Sequence, residues 1–326
     1  MFLMTADIKL GAFKPVKPNA VRWSRSIDSY SDTALIKLPA IARLKREGDE
    51  YENVQTGLQF KEGMKAEVYC GYDGKNDLRF KGFIRRVNFT VPLEIECEGY
   101  SYQLRKKEGY TQTYGSTTVR QVLADLVSGT DIKLSESIPD IPLTNIYFKN
   151  VKGTDVLEYL KDKCLLTIYF NHEVLYCGLR MTEAKATIKH RLNWNVLKDD
   201  GLKFETNREL ATVNIQVEKR SKDGTKKKAK QGVKDGSVKI LKIRHIDDEA
   251  LLKEIAEEER QKLLFRGYEG SITSFLHPVA EPGMASRIDD VRYPERTGTY
   301  FIEKVDGDFS TSGGRQKISI GAFLSV

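Results

Sequence analysis

The chain is poor in the residues that announce chemistry by themselves: 326 residues include 4 cysteines, 4 histidines, 9 prolines and 2 tryptophans. Cys70, Cys97, Cys164 and Cys177 are far apart and form neither a CxxC pair nor a Cys/His ligand set, which argues against a disulfide scaffold or a zinc ribbon. Each lies in an apolar periodic context, the usual setting of a buried reduced thiol. His172, His190, His245 and His277 are isolated from one another in sequence and lack metal-ligand spacing. No apolar run approaches the roughly 20 residues that a membrane span needs. The N-terminal MFLMTADIKL has no basic n-region, so no secretory signal is expected. There is no GxSxG elbow, no HExxH, no P-loop and no GxGxxG following a strand. Carboxylates are plentiful, but no spacing singles out an acid/base pair. The expectation is a non-enzymatic protein with no catalytic residues, no metal ligands and no cofactor.

What the chain does have is charge, with 53 Lys and Arg against 46 Asp and Glu giving +7. Most of that excess is local. Lys219, Arg220, Lys222, Lys226, Lys227, Lys228 and Lys230, set against Asp223, contribute seven minus one, or +6, and leave about +1 on the rest. With Gly224, Gly232 and Gly236 nearby, residues 219–236 read as a mobile basic loop and a candidate partner contact. A nucleic-acid binder should spread its cations over a face, so nucleic acid is the alternative partner rather than the leading one. The run Glu257, Glu258 and Glu259 reads as a solvated helix face. Trp23 and Trp194, like the tyrosines, read as core or interface residues.

The hydrophobic pattern divides the chain into three regions. Residues 1–106 alternate with period two: Ala34, Ile36 and Leu38 share a face, as do Ala66, Val68, Cys70 and Tyr72. Leu93, Ile95 and Cys97 should face inward, with Glu94, Glu96 and Glu98 outward. Leu78, Phe80 and Ile84 share one parity, and Gly82 between them suits a bulge or a sharp bend. In residues 107–183 the period changes. Ser116 or Thr117 can cap a helix carrying Val119, Val122, Leu123, Leu126 and Val127. A second helix opens at Thr154 with Val156, Leu157, Leu160 and Cys164 on its stripe, and a strand pair turns at residues 171–173. Residues 184–326 return to strands, with the basic loop and one helix over 246–266 whose acidic start and basic end complement its dipole. The fold class expected is α+β, mainly β: two antiparallel β-barrel domains with an inserted small α/β domain.

Taken in order, these segments resemble the late control protein D family of baseplate hub proteins from contractile phage tails and related injection systems. The first match is VRWSRSIDSYSDTALIKLP, then FKEGMKAEVYCGYDGKNDLRFKGFIRRV and LEIECEGYSYQLRKK, against the family's "G-x-x-V-x-V-x-x-G-Y" and "F-x-G-x-I" strands. The middle match is TTVRQVLADLV with IYFKNVKGTDVLEYLKDKCLLTIYFNHEVLYCGL. The last is HPVAEPGMASRIDDVRYPERTGTYFIEKVDGDFSTSGGRQKISIGAF. The resemblance implies a homotrimeric ring in which duplicated barrels, the first of them tail-tube-like, present a pseudo-sixfold surface to a hexameric tail tube. A trimeric spike would sit on the other end. Implied partners are a separate spike protein, the tail tube protein and the tape-measure protein. The implied location is the virion tail baseplate or an injection particle, assembled in the bacterial cytoplasm. The basic loop matches no family motif, so no contact residue carries over to it.

Overall fold

The computed structural model describes residues 3–45, 51–180, 184–205, 213–220, 226–232, 237–263 and 267–325. Period-two alternation makes the first region β: β1 (Met4–Leu10), β2 (Ala20–Ser26), β3 (Thr33–Leu38), β4 (Ile41–Lys45), β5 (Tyr51–Gln55), β6 (Lys65–Tyr72), β7 (Lys75–Asn88) and β8 (Leu93–Glu98). Helix α1 (Ser101–Lys106) ends the first region, and the middle region holds β9 (Tyr110–Thr118), α2 (Val119–Val127), β10 (Lys133–Leu134), β11 (Pro142–Val151), α3 (Gly153–Cys164), β12 (Thr167–Asn171) and β13 (Val174–Gly178). The last holds β14 (Thr187–Arg191), β15 (Val196–Lys198), β16 (Leu202–Glu205), β17 (Val213–Arg220), β18 (Lys226–Gly232), β19 (Ser237–Lys242), α4 (Glu249–Leu263), β20 (Gly267–Phe275), β21 (Ala285–Asp289), β22 (Gly298–Ser310) and β23 (Gly313–Ser325).

The protein is mainly β, and its frame is one 13-stranded sheet ordered β1-β6-β7-β8-β3-β2-β22-β23-β20-β15, with β16 on β20 and the parallel pair β14–β21 on β22. The two expected barrels are not found as closed rings. The first and last β regions instead fuse edge to edge where β2 pairs antiparallel with β22. At that seam Trp23 lies opposite Gly307, and a Cβ on Gly307 would stand 1.9 Å from the indole. Glycine is therefore what lets the ring lie flat across the joint.

Inward residues of the first half build a core of Ile8, Val21, Trp23, Ile36, Val68, Phe80 and Ile95, among others. The second half has its own core around Tyr268, Ile272, Ile288, Tyr300, Ile302 and Ile318. The expected faces of β3, β6 and β8 hold, with one correction. Glu98 is buried, because its carboxylate lies 2.5 Å from Arg105 and accepts a hydrogen bond from Ser101 Oγ at 2.8 Å. Gly82 is not itself a bulge; the register shifts of β7 fall opposite Val68/Tyr69 and at Ile84/Arg86. A Cβ at Gly82 would sit 2.1 Å from the Glu98 carbonyl oxygen, so glycine there permits a close backbone approach.

The middle region packs α2 and α3 with β9–β11 and β12–β13 around Val122, Leu126, Leu157, Leu160 and Ile168. Its first helix is capped by Thr118, whose hydroxyl accepts from Gln121 N at 3.2 Å, rather than by Ser116 or Thr117. Its second starts at Gly153, one residue early, and Asp155 accepts from Lys152 N at 2.9 Å. The last region contributes to this core as well as to its own. β18, α4 and the connection between β19 and α4 place Ala229, Ile243, Ile246, Leu252, Ile255 and Ala256 in it. Helix α4 begins at Glu249, with Asp248 capping Ala250 and Leu251, and not at 246; residues 264–266 lie outside the described ones.

Candidate assembly surfaces

The basic segment is not a loop throughout. Lys219 and Arg220 end β17, and Lys226, Lys227, Lys228 and Lys230 belong to β18, paired so that Arg220 faces Lys226 and Lys219 faces Lys227 across the ladder. Lys222 and the rest of 221–225 lie outside the described residues, as do 233–236. Two forces overcome the glycines and the charge. Ala229 is fully buried in the middle core, which anchors the strand, and Lys230 is exposed to water. Among the described residues β18 pairs only with β17, so its lysines stand on an edge strand, where charge discourages further strand addition.

A buried charged joint ties the three regions together. Arg25, on β2 and 4% exposed, brings Nε to 3.3 Å from Asp32 Oδ2, Nη2 to 2.8 Å from Asn171 Oδ1 and Nη1 to 3.6 Å from Glu281 Oε1. His172, at the tip of the β12–β13 hairpin, places Nε2 3.8 Å from the same glutamate oxygen. Burial raises the Asp32 carboxyl to about 6 against the pull of Arg25. Glu281 is held down at about 2, first by His172 and then by Arg25. Burial lowers His172. Alongside, Arg180 bridges Asp28 at 3.1 Å and Glu303. Sequence spacing gave no sign of this joint, because its members come from segments as far apart as 25 and 281.

The remaining histidines, cysteines and glutamates singled out by sequence are mostly tied into the fold. His190 is fully buried, shares a 2.7 Å hydrogen bond with Ser286 Oγ, and is pushed down to about 4 by burial. His245 links Tyr159 OH and the Thr144 carbonyl oxygen, each at 2.8 Å, and so fixes the segment before α4 to the middle region. All four cysteines are free and buried, and burial drives their thiols upward, to about 12 at Cys70 and Cys164. In the glutamate run, Glu257 pairs with Arg260 at 2.7 Å and Glu259 with Lys239 at 3.5 Å. Among the described residues no three His, Cys, Asp or Glu side chains are grouped to hold a metal ion, and no helix is long and apolar enough to cross a membrane. A shallow trough of about 780 Å³ lies over the seam, lined by Arg22, Leu35, Arg85, Glu96 and Asp308 among others.

Among the exposed large apolar residues, two groups stand out. One surrounds the root of the ribbon β4–β5, with Ile41, Leu58, Phe89 and Val91. The other, with Trp194, Leu197, Val291 and Tyr293, lies at the end of the second half. Tryptophan and tyrosine exposed beside arginines are the composition of protein interfaces rather than of small-molecule sites.

Two sheet halves fused edge to edge, carrying an α/β insertion that bridges both, make up a fold found in phage tail proteins. In particular, the chain is similar to the tail protein of Neisseria meningitidis MC58, with a TM-score of 0.68 and 14% identity over 98% of this chain and 96% of that one. It is similar also to the 43 kDa tail protein of prophage MuSo2 from Shewanella oneidensis, with a TM-score of 0.63 and 13% identity over 97% of each. A third similar structure is the E. coli c3393 protein, a type VI secretion system component with structural similarity to the T4 bacteriophage tail proteins gp27 and gp5. There the TM-score is 0.59 at 10% identity, over 97% of this chain and 76% of that one. No protein-family model matches the chain, and no curated protein does.

Proposed function

We propose that the chain is a non-enzymatic baseplate hub of the late control protein D type in a contractile tail or related injection particle. In this reading it forms a homotrimeric ring that adapts a separate trimeric spike to the hexameric tail tube, with the tape-measure protein as a further contact. The observation that carries it is that likeness to tail proteins runs over nearly the whole chain, both sheet halves and the insertion included. The domains are then 1–106 and 184–326, each contributing a barrel-like half, and 107–183 between them. Three copies with two such halves each give six sheet segments around one axis, the arithmetic a threefold-to-sixfold adaptor needs. The charged joint suits that role, since a ring that must hold two halves at a fixed angle gains from a buried, geometrically demanding lock. Lys226, Lys227, Lys228 and Lys230 would be a peripheral contact to an acidic protein surface. No observation favours the nucleic-acid alternative.

Sedimentation equilibrium at micromolar concentration tests the oligomer. The chain alone should sediment at three times 37.1 kDa, or, if it trimerises only on its spike protein, as a complex containing three chains. A strict monomer that ignores spike and tube proteins would overturn the reading.

A further inference from the structure

The charged joint can take up protons at two places, Asp32 and His172, which come from different regions of the chain. Arg25 connects them. Its Nε lies 3.3 Å from Asp32 Oδ2 and its Nη1 3.6 Å from Glu281 Oε1, and His172 Nε2 approaches that same glutamate oxygen at 3.8 Å. Two further charged groups border the joint. Lys185 interacts with Glu281 and Arg25, while Glu173 is engaged by Lys81 at 3.0 Å and Lys133 at 3.8 Å. With His172 neutral, Arg25 and Lys185 balance Asp32 and Glu281. A proton added to either Asp32 or His172 leaves one buried positive charge in excess, so a proton on one site opposes a proton on the other.

Packing decides which site carries it. Asp32 is 3% exposed and its Oδ1 has no partner within hydrogen-bond geometry among the described residues; the pulls of Arg25 and the Ser26 backbone fall short of the cost of burial. The protonated carboxyl is favoured there. An imidazolium must donate from both nitrogens, but His172 Nδ1 is buried without such a partner and only Nε2 faces Glu281. The neutral ring is favoured there. The two groups therefore shift in opposite directions, Asp32 up to about 6 and His172 down from 6.5.

In the unfolded chain, between about pH 4 and 6, His172 holds a proton and Asp32 does not. In the folded chain the order is reversed. Because its value is raised, Asp32 alone would make the joint firmer as pH falls from about 6 toward 4. Because its value is lowered, His172 alone would make the joint weaker as pH falls below 6.5. Each effect can reach about tenfold in the equilibrium per pH unit, and the signs are opposite.

We infer that Asp32 and His172 form a proton-compensated pair: as the joint forms, His172 releases to solvent the proton that Asp32 takes up. No net proton is exchanged, so the grip of the β12–β13 hairpin on the two halves holds steady as pH falls. The insertion and both halves then keep one relative position where a joint built on either group alone would tighten or loosen. This inference is independent of the hub reading.

Urea unfolding of the full chain and of Asp32→Asn, His172→Gln and the double variant, at pH 6.5 and 4.5, tests it. The ratio of each variant's unfolding constant to that of wild type removes the contributions of all distant groups. On going from pH 6.5 to 4.5 the ratio should rise about 20-fold for Asp32→Asn and fall at least about 5-fold for His172→Gln. The double variant should change less than either. Ratios that stay flat for both single variants, or that move in the same direction, would overturn the pair. NMR titration of wild type decides the matter even where a variant fails to fold. At pH 5 the Asp32 carboxyl should be protonated and the His172 ring neutral; an ionised Asp32 or a protonated His172 at that pH contradicts the inference.

Discussion

The two halves of the large sheet bury cores of different chemistry. In the first half the inward row is almost wholly apolar, from Ile8 and Val21 to Trp23, Ile36, Val68 and Phe80. In the second, buried hydrogen bonds thread between the apolar side chains. His190 holds Ser286, Tyr268 holds Asp290, the Tyr300 hydroxyl accepts from Tyr268 N at 2.9 Å, and Gln316 accepts from Ala280 N at 3.3 Å. One sheet plan is therefore held in two ways. Apart from the buried pairs Arg25–Asp32 and Glu98–Arg105, the first half depends on shape and on burial, which vary little with pH. The second depends on polar groups kept neutral or paired, which tie its stability to proton binding.

The contrast can be broken first at the seam. Trp23→Ala removes the largest side chain at the β2–β22 joint and should cost about 3–5 kcal/mol in urea unfolding. Gly307→Ala alone should also destabilise, since its Cβ would stand 1.9 Å from the indole. The double variant should cost less than the sum of the two, because the small residue at 23 makes room for the methyl group. Simple additivity would show that the seam does not depend on this contact.

A smaller effect distinguishes the second half. The His190 ring is lowered to about 4 from 6.5, so between those values the unfolded chain binds a proton that the folded chain refuses. The penalty is absent above about pH 6.5 and grows as pH falls toward 4, reaching up to about 3 kcal/mol. His190→Gln should remove this dependence. The difference in unfolding free energy between pH 7 and pH 4.5 should be larger in wild type than in the variant by about 2 kcal/mol. Equal differences would place His190 in a less demanding environment than its full burial indicates.

How far the fold was legible in the sequence follows the same division. Alternation identified the inner faces of β3, β6 and β8 because each face meets one continuous apolar core. Glu98 escaped, since a period of two cannot register that Arg105 and Ser101 return to meet it after a turn. The seam escaped too: alternation says which way Trp23 points but not that residues 298–310 lie beside it. Gly307 was the one available signal, and a lone glycine has many explanations. For the basic segment, charge and glycine outweighed a modest clue, the small apolar Ala229 among lysines, which turned out to anchor β18. The charged joint joins Arg25, Asp32, His172 and Glu281 across the whole chain, so no local spacing could group them. Sequence makes Trp194 a core or interface residue, and its exposure of 77% excludes the core.

The central claim is that the chain adapts threefold to sixfold symmetry, and electron microscopy of the purified chain mixed with its tube protein tests it most directly. The account predicts threefold rings capping one end of sixfold tubes, with the two sheet halves of each copy meeting neighbouring tube subunits. Tubes with bare ends beside unattached chain would contradict it.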